Sequence, residues 1–234
     1  RHLEPLGFIK FDILGLSTLR MIEGAISHIL RRHHGVENPT HVDIRKYYDK
    51  HLHPDVLDFN DEKVYKNVFH KGKWAGIFQF TENGAQALCK KAKPNSIIDI
   101  SAITSIYRPG PLSANVDKSY IEAKKAPALT TYLNDVHREI TEETYGFLIF
   151  QEQIALLAHR LGKNISLDEG NKLRKILTKK GGGDKKKEFI SLRTRFVDGC
   201  VEKGIRERDA VEMWEKFEFF SGYGFNKSHA VSYS

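Results

Sequence analysis

Apolar and polar positions change period several times along the chain, and each change predicts an element. Phe8-Ile9-Lys10-Phe11-Asp12-Ile13-Leu14 predicts a strand. Ile9, Phe11 and Ile13 would share one face, and Phe8, Lys10, Asp12 and Leu14 the other. Gly15-Leu16-Ser17-Thr18 turns the chain, with Ser17 or Thr18 as the cap of a helix over about 19–33. Its apolar residues Leu19, Ile22, Ile26, Ile29 and Leu30 recur at helical spacing, and Gly35 ends it. Residues 36–60 are polar, punctuated by Pro39 and Pro54, and predict short helices in a connecting segment. Asp61 is placed to cap a helix through about His70. Ala75-Gly76-Ile77-Phe78-Gln79-Phe80 is short, apolar and aromatic, and predicts a second strand.

Beyond it the pattern is helical. One helix ends near Lys93-Pro94 and another covers about 97–106. The prolines of Tyr107-Arg108-Pro109-Gly110-Pro111 predict a rigid loop that holds Tyr107 and Arg108 in place. Residues 112–140 are polar and helical in part, and 145–150 is apolar and extended or helix-leading. Gln151-Glu152-Gln153 opens an amphipathic helix carrying Ile154, Leu157, Ala158 and Leu161. Ser166, three residues before Glu169, forms a capping box. The helix after it sets Asn171, Arg174, Lys175 and Thr178 opposite the core-facing Leu173, Ile176 and Leu177. Lys179-Lys180-Gly181-Gly182-Gly183 predicts a mobile loop, because three glycines do not sustain a helix. Helices over about 188–203 and 207–220 follow. The result is a mainly α chain with a few short strands.

With 234 residues, the chain can bury a sizeable core in one large domain or two small ones. No apolar run reaches the ~18 residues of a membrane span, and no signal peptide is visible. Arg1 has no Met before it, which reads as a segment of something longer. Cys89 and Cys200 stand far apart and predict reduced, packed thiols. The histidines, among them His33, His34, His51 and His53, lack metal-ligand spacing and read mostly as surface residues. The net charge of +7 points to an anionic partner because it is clustered. From Lys172 to Arg195 the basic residues are opposed only by Asp184 and Glu188.

Two stretches carry candidate chemistry. Lys10 and Asp12, side by side on one strand face, suit a divalent metal and the phosphates it bridges. So short a motif is more commonly the ion pair of a sheet edge. The closing stretch Gly222-Tyr223-Gly224-Phe225-Asn226-Lys227-Ser228-His229 offers stacking, hydrogen bonds and charge to a nucleotide or a primer end. It also reads as a loop and a helix capped by Asn226 or Ser228. Both readings are compatible, since helix N-termini bind phosphate.

Taken in order, six pieces closely resemble the C family of DNA polymerases, the replicative DNA polymerase III alpha subunits of bacteria. They are Lys10-Phe11-Asp12-Ile13-Leu14-Gly15-Leu16, Phe78-Gln79-Phe80, Tyr107-Arg108-Pro109-Gly110-Pro111, Gln151-Glu152-Gln153, Leu173-Arg174-Lys175, and 222–230. The resemblance implies that 1–16 is the last strand of a nucleotidyltransferase-like palm. Residues 17–234 would be a helical fingers domain whose final helix is cut off. It implies a DNA-directed DNA polymerase using two Mg²⁺ ions held by three aspartates. Asp12 would be the third of these, as catalytic and metal-binding residue. Lys10, Arg108, Arg174, Lys175, Thr178, Lys179 and Lys180 would contact phosphate. Tyr107, Tyr223, Asn226, Lys227, Ser228 and His229 would lie at the nascent base pair or nucleotide.

The implied partners are primer-template DNA, deoxynucleoside triphosphates and a palm segment bearing an Asp-x-Asp pair, in the same longer chain or a separate subunit. A sliding clamp would bind through downstream regions. The implied location is the bacterial cytoplasm, phage-encoded forms included, with no membrane. The segment alone is expected to be inactive.

Departures mark a divergent member, viral origin included. Lys175 replaces an arginine and loses its bidentate fork. Ile176-Leu177-Thr178-Lys179-Lys180-Gly181 replaces Ala-Met-Gly-Lys-Lys-Lys, the triple glycine is atypical, and Phe150 stands where tyrosine is common. Two other readings compete. A non-catalytic basic helical module that grips nucleic acid would have no use for the Lys10-Phe11-Asp12 stretch and no nucleotide preference. A nuclease built on Asp12 needs further acids nearby, and Glu4 and Glu23 lie outside the strand.

Overall fold

The computed structural model describes residues 6–9, 15–178 and 184–234. The described residues divide into two compact units. One runs up to Asp58 and includes Ala75–Phe78; the other comprises Phe59–Trp74 and Gln79–Ser234. The structure is mainly α. Among the described residues, strand-like pairing is confined to one parallel bridge between Phe150 and Phe225.

The first unit holds α1 (Ser17–His34) and α2 (His41–His51). The apolar stripe of α1 is buried at Ile26 and Leu30, whereas Leu19 and Ile22 are exposed. Its start differs from the sequence reading. Leu16 occupies the cap position, with no side-chain cap hydrogen bond, and Ser17 already lies inside the helix. At an exposed terminus water satisfies the first amides, so no side-chain cap is required. Gly35 closes the helix in the left-handed conformation, as expected. Thr40 and Asp43 cap α2 reciprocally. Of the predicted strand over 8–14, Phe8 and Ile9 are irregular and exposed, and 10–14 lie outside the described residues.

The second predicted strand does not form. Residues 75–80 are turns. Gly76 (φ +76°) and Gln79 (φ +64°) both take left-handed backbone, which breaks the pleat that the alternation implied. Phe80 is fully buried, stacked 5.4 Å from Trp74 and edge-on 6.0 Å from Phe69. Asp61 does cap α3 (Glu62–Val64), which runs on as a π-helix over Tyr65–Phe69.

The second unit continues with α4 (Asn83–Ala92), α5 (Ile97–Ile106), α6 (Pro109–Ser113), α7 (Val116–Lys125) and α8 (Asp135–Thr141). The expected Pro-Gly-Pro loop is instead the start of α6. Proline fits a helix's first turn because its missing N–H would be unpaired there anyway. Then come α9 (Gln151–Leu161), α10 (Leu167–Thr178), α11 (Asp184–Glu202), α12 (Glu207–Ser221) and α13 (Lys227–Tyr233). The capping box before α10 is present: the Ser166 N–H donates to Glu169 (2.8 Å), and the Glu169 N–H to Ser166 Oγ (3.2 Å).

Helices α8 to α12 enclose the main apolar core. Leu157, Leu161, Leu173, Phe196, Trp214 and Phe217 are among its fully buried members. Phe189, Phe196 and Phe217 surround the Trp214 indole at centroid distances of 5.6–5.9 Å. Cys89 and Cys200 are buried free thiols, each pushed up to about 12 by burial. Most histidines named above are exposed, but His137 is buried.

Candidate functional site

Three of the sequence motifs, far apart in the chain, meet in one polar clasp. Its base is the first turn of α9. Each residue of Gln151-Glu152-Gln153 faces a different partner. Gln151 donates from its backbone to Phe225 O (2.9 Å) and from its side chain to Gly224 O (3.0 Å). Glu152 accepts from Asn226 Nδ2 (2.7 Å) and from the Lys227 backbone N–H (3.1 and 3.0 Å). Gln153 is buried with its amide fully engaged. Its oxygen accepts from the Ile149 and Phe150 N–H groups, and its nitrogen donates to Ile140 O and Thr144 Oγ1. A buried amide is stable only when paired in this way.

The closing motif lies across this base. Phe225 N–H returns a bond to Ile149 O (3.0 Å), completing the bridge at Phe150. Asn226 caps α13 by accepting from the His229 N–H (2.8 Å), as its position in the sequence predicts. Ser228 Oγ donates to Asn226 Oδ1 (2.7 Å). Lys227 Nζ contacts both oxygens of Glu143 at 2.7 Å and lies 5.8 Å from the Phe150 ring centre. His229 is exposed, its ring between Phe225 (5.4 Å) and Tyr233 (4.6 Å).

Arg108 closes the clasp from the far side. Its Nε donates to Ser105 O (2.9 Å), its Nη2 donates to Tyr223 O, and its guanidinium lies 4.7 Å from the Phe225 ring centre. The Tyr223 ring seats against Gly110, where a Cβ would overlap it, so the glycine of Pro-Gly-Pro is needed for close approach. Tyr107 Oη donates to Glu82 (3.1 Å), and this hydrogen bond holds the phenol above its usual pKa.

The structure therefore gathers Arg108, Tyr223, Asn226, Lys227, Ser228 and His229, with Tyr107 adjoining Arg108 in the chain. Lys10, Asp12, Lys179 and Lys180 lie outside the described residues. Arg174, Lys175 and Thr178 belong to α10, but their side chains also lie outside them. The core side of α10 is as expected, with Leu173, Ile176 and Leu177 buried. The basic run is not all available to a partner. Arg195 pairs with Glu169 (2.7 Å) and donates to the Lys163 and Asn164 carbonyls. The Arg195 guanidinium holds the Glu169 carboxyl down at about 2.

Sequence reasoning missed Glu143, Glu152 and Gln153 as clasp residues. It also missed a buried network on α5. Asp99 is fully buried and accepts from Tyr120 Oη (2.9 Å), Tyr145 Oη (3.0 Å), Lys124 Nζ (2.7 Å) and the Asn95 N–H (2.9 Å). The visible signal was the Gln-Glu-Gln triplet itself, three polar residues in a row at the head of an apolar helix.

A mainly helical domain that folds far-apart polar motifs onto one helix start defines the class of architecture. The family model described as "Bacterial DNA polymerase III alpha subunit finger domain" matches residues 19–204. The chain belongs to that family. It is 35% identical over 233 residues to the DNA polymerase III subunit alpha of Campylobacter jejuni, covering 100% of this chain and 18% of that protein. The corresponding Bacillus subtilis protein is 36% identical over 234 residues (100% and 19%). That of Aquifex aeolicus is 34% identical over 233 residues (99% and 18%). The chain thus spans less than a fifth of the length of these relatives.

Proposed function

We propose that this chain is the fingers segment, with the end of the palm, of a cytoplasmic DNA-directed DNA polymerase. It binds the incoming deoxynucleoside triphosphate beside primer-template DNA. Residues 1–16 form the palm end and 17–234 the fingers. The observation that carries the reading is the clasp, where the motifs at 107–111, 151–153 and 222–229 converge in a chain of the alpha-subunit finger family. Tyr107, Tyr223, Ser228 and His229 then stand at the nascent base pair. Arg174, Lys175, Lys179 and Lys180 supply charge to the triphosphate, and Thr178 a hydroxyl.

Asp12 is the one ligand assigned in this chain to a pair of Mg²⁺ ions, and Lys10 the phosphate contact next to it. Among the described residues no three His, Cys, Asp or Glu side chains gather into a ligand set. On the family resemblance, the remaining ligands are assigned to an Asp-x-Asp pair elsewhere in the longer protein. The ions, when bound, stabilise charge on the phosphates. The part of the described residues is to place side chains around the nucleotide.

The test is Arg174→Ala in the complete polymerase. A charged hydrogen bond to phosphate is worth about 1.5–3 kcal/mol, so kcat/KM for the nucleotide is expected to fall roughly tenfold or more. Affinity for primer-template duplex should barely change. Loss of duplex binding with normal nucleotide kinetics would assign α10 to the duplex and overturn the reading.

A further inference from the structure

Lys227 and the first amides of α13 were expected to face an anion. In the structure they face the chain's own carboxylates. The ammonium sits 2.7 Å from both Glu143 oxygens, with each side chain about one-third exposed (34% and 30%). The Lys227 N–H is taken by Glu152 and the His229 N–H by Asn226. Among the described residues the Glu143 carboxylate matches the Lys227 ammonium and the Glu152 carboxylate takes its backbone N–H, which leaves this motif no excess of positive charge to draw a triphosphate. The neighbouring cation, Arg108, is directed at the carbonyls of Ser105 and Tyr223. Glu143 lies in the 3₁₀ turn Glu142–Thr144 and Glu152 in the first turn of α9, so both are anchored in the body of the unit. Their partners are 74 to 84 residues further along the chain.

We propose that Glu143 and Glu152 are positioning residues that fix the closing motif, and that Lys227 is their latch instead of a phosphate contact. The proposal rests on the fingers reading above. Glu143 sets the depth at which the motif seats by holding the ammonium against the Phe150 ring. Glu152 sets its register by gripping Asn226 and the Lys227 amide together. Tyr223 and His229, which flank these grips, are thereby presented to the nucleotide in one arrangement. Misplacement of such groups by even a small distance is costly to a transfer step.

A charge swap in the complete polymerase separates latch from phosphate contact, because only a latch tolerates reversal. Glu143→Lys and Lys227→Glu are each expected to slow single-turnover incorporation by about tenfold. The double variant E143K/K227E should recover most of the rate, with duplex affinity unchanged throughout. If the singles are slow and the double is equally slow or slower, Lys227 acts on the nucleotide and the proposal falls. It falls also if neither single has an effect.

Should reversal prevent folding, as judged by melting temperature, the milder cycle of Glu143→Gln and Lys227→Gln decides. A double no worse than either single supports the latch, and additive losses overturn it. Glu152→Ala should slow incorporation and Glu152→Gln, which keeps an oxygen for both donors, should restore most of it. Equal defects in the two remove Glu152 from the proposal. Arg174→Ala, run in the same assay, decides the fingers reading separately: a fall in kcat/KM for the nucleotide upholds it whatever the clasp variants do. Normal nucleotide kinetics with lost duplex binding overturns that reading, and the latch with it.

Discussion

The second unit is held together in two different ways. Around Trp214, helices α8 to α12 bury an apolar cluster in which nearly every contact is non-directional. Around Asp99 and Gln153, the buried groups are polar and each atom has an assigned partner at 2.6–3.2 Å. The apolar cluster gains stability from area removed from water and tolerates substitutions that conserve volume. The polar networks add little net stability when complete and cost much when broken. They specify instead which distant segments meet: α5 with α7 and the turn at Tyr145 through Asp99, and α9 with the turn before it through Gln153. The apolar core thus places the helices, and the polar contacts fix the motif-bearing segments on them.

The largest expected effect lies at the centre of the apolar region. Trp214→Ala should cost about 3–5 kcal/mol, read from urea unfolding. Trp214→Phe should cost much less, because the phenyl ring keeps most of the packing. The indole Nε1–H is buried without a hydrogen-bond partner among the described residues, so neither variant strands a partner by losing it. Equal losses in the two variants would show that a phenyl ring recovers none of the packing at this site.

In the polar region Asp99→Ala is expected to approach the same size, about 3–5 kcal/mol, because it strands the Lys124 ammonium in a site where its side chain is 8% exposed. The sharper prediction is recovery. Asp99→Ala with Lys124→Met should be more stable than Asp99→Ala alone, since no unpaired charge remains. An apolar residue would show no such rescue. If the double variant is as unstable as the single one, the two tyrosine hydroxyls, and not the ion pair, dominate this network.

The same contrast explains what could be read in the chain beforehand. Helix α5 was legible to its end residues because Ser96 and Asp99 mark its start and Ile97, Ile100, Ile103 and Ile106 recur along it at helical spacing. The core face of α10 was legible because Leu173, Ile176 and Leu177 follow the helical period. Residues 75–80 were misread because a short apolar run has the same composition in a strand and in a turn that buries one aromatic. Gln79 gave no hint of left-handed backbone. The clasp partners were invisible for another reason. Arg108 meets Tyr223 across 115 residues and Gln151 meets Gly224 across 73, and local periodicity carries no information at that range. Only the family resemblance grouped those motifs, and it did not say which side chains touch. Arg195 was counted among binding cations because its pairing with Glu169 also depends on the fold.

The smallest of these predictions concerns a polar group at the edge of the apolar core. His137 is 7% exposed, and its Nδ1 accepts the Leu133 N–H at 3.1 Å. That bond needs a lone pair on Nδ1, so it holds the ring neutral with its proton on Nε2. Burial pushes the imidazole down to about 4, with the Lys216 ammonium adding to the effect. The unfolded chain titrates near 6.5. Between those values the unfolded state binds a proton that the folded state does not, so stability rises with pH across the window. The contribution is complete above about 6.5, declines as pH falls, and levels off below about 4. Its full size is about 3 kcal/mol. Urea unfolding at pH 7, 5.5 and 4 of wild type and His137→Asn isolates it, because the asparagine oxygen can still accept the Leu133 N–H but does not titrate. The carboxylates contribute equally to both curves. The wild type should therefore lose more stability than the variant on acidification, with most of the divergence between pH 6.5 and 4. Parallel curves would show that the ring protonates in place, and that this edge of the apolar core admits a charge as readily as the solvent-facing clasp does.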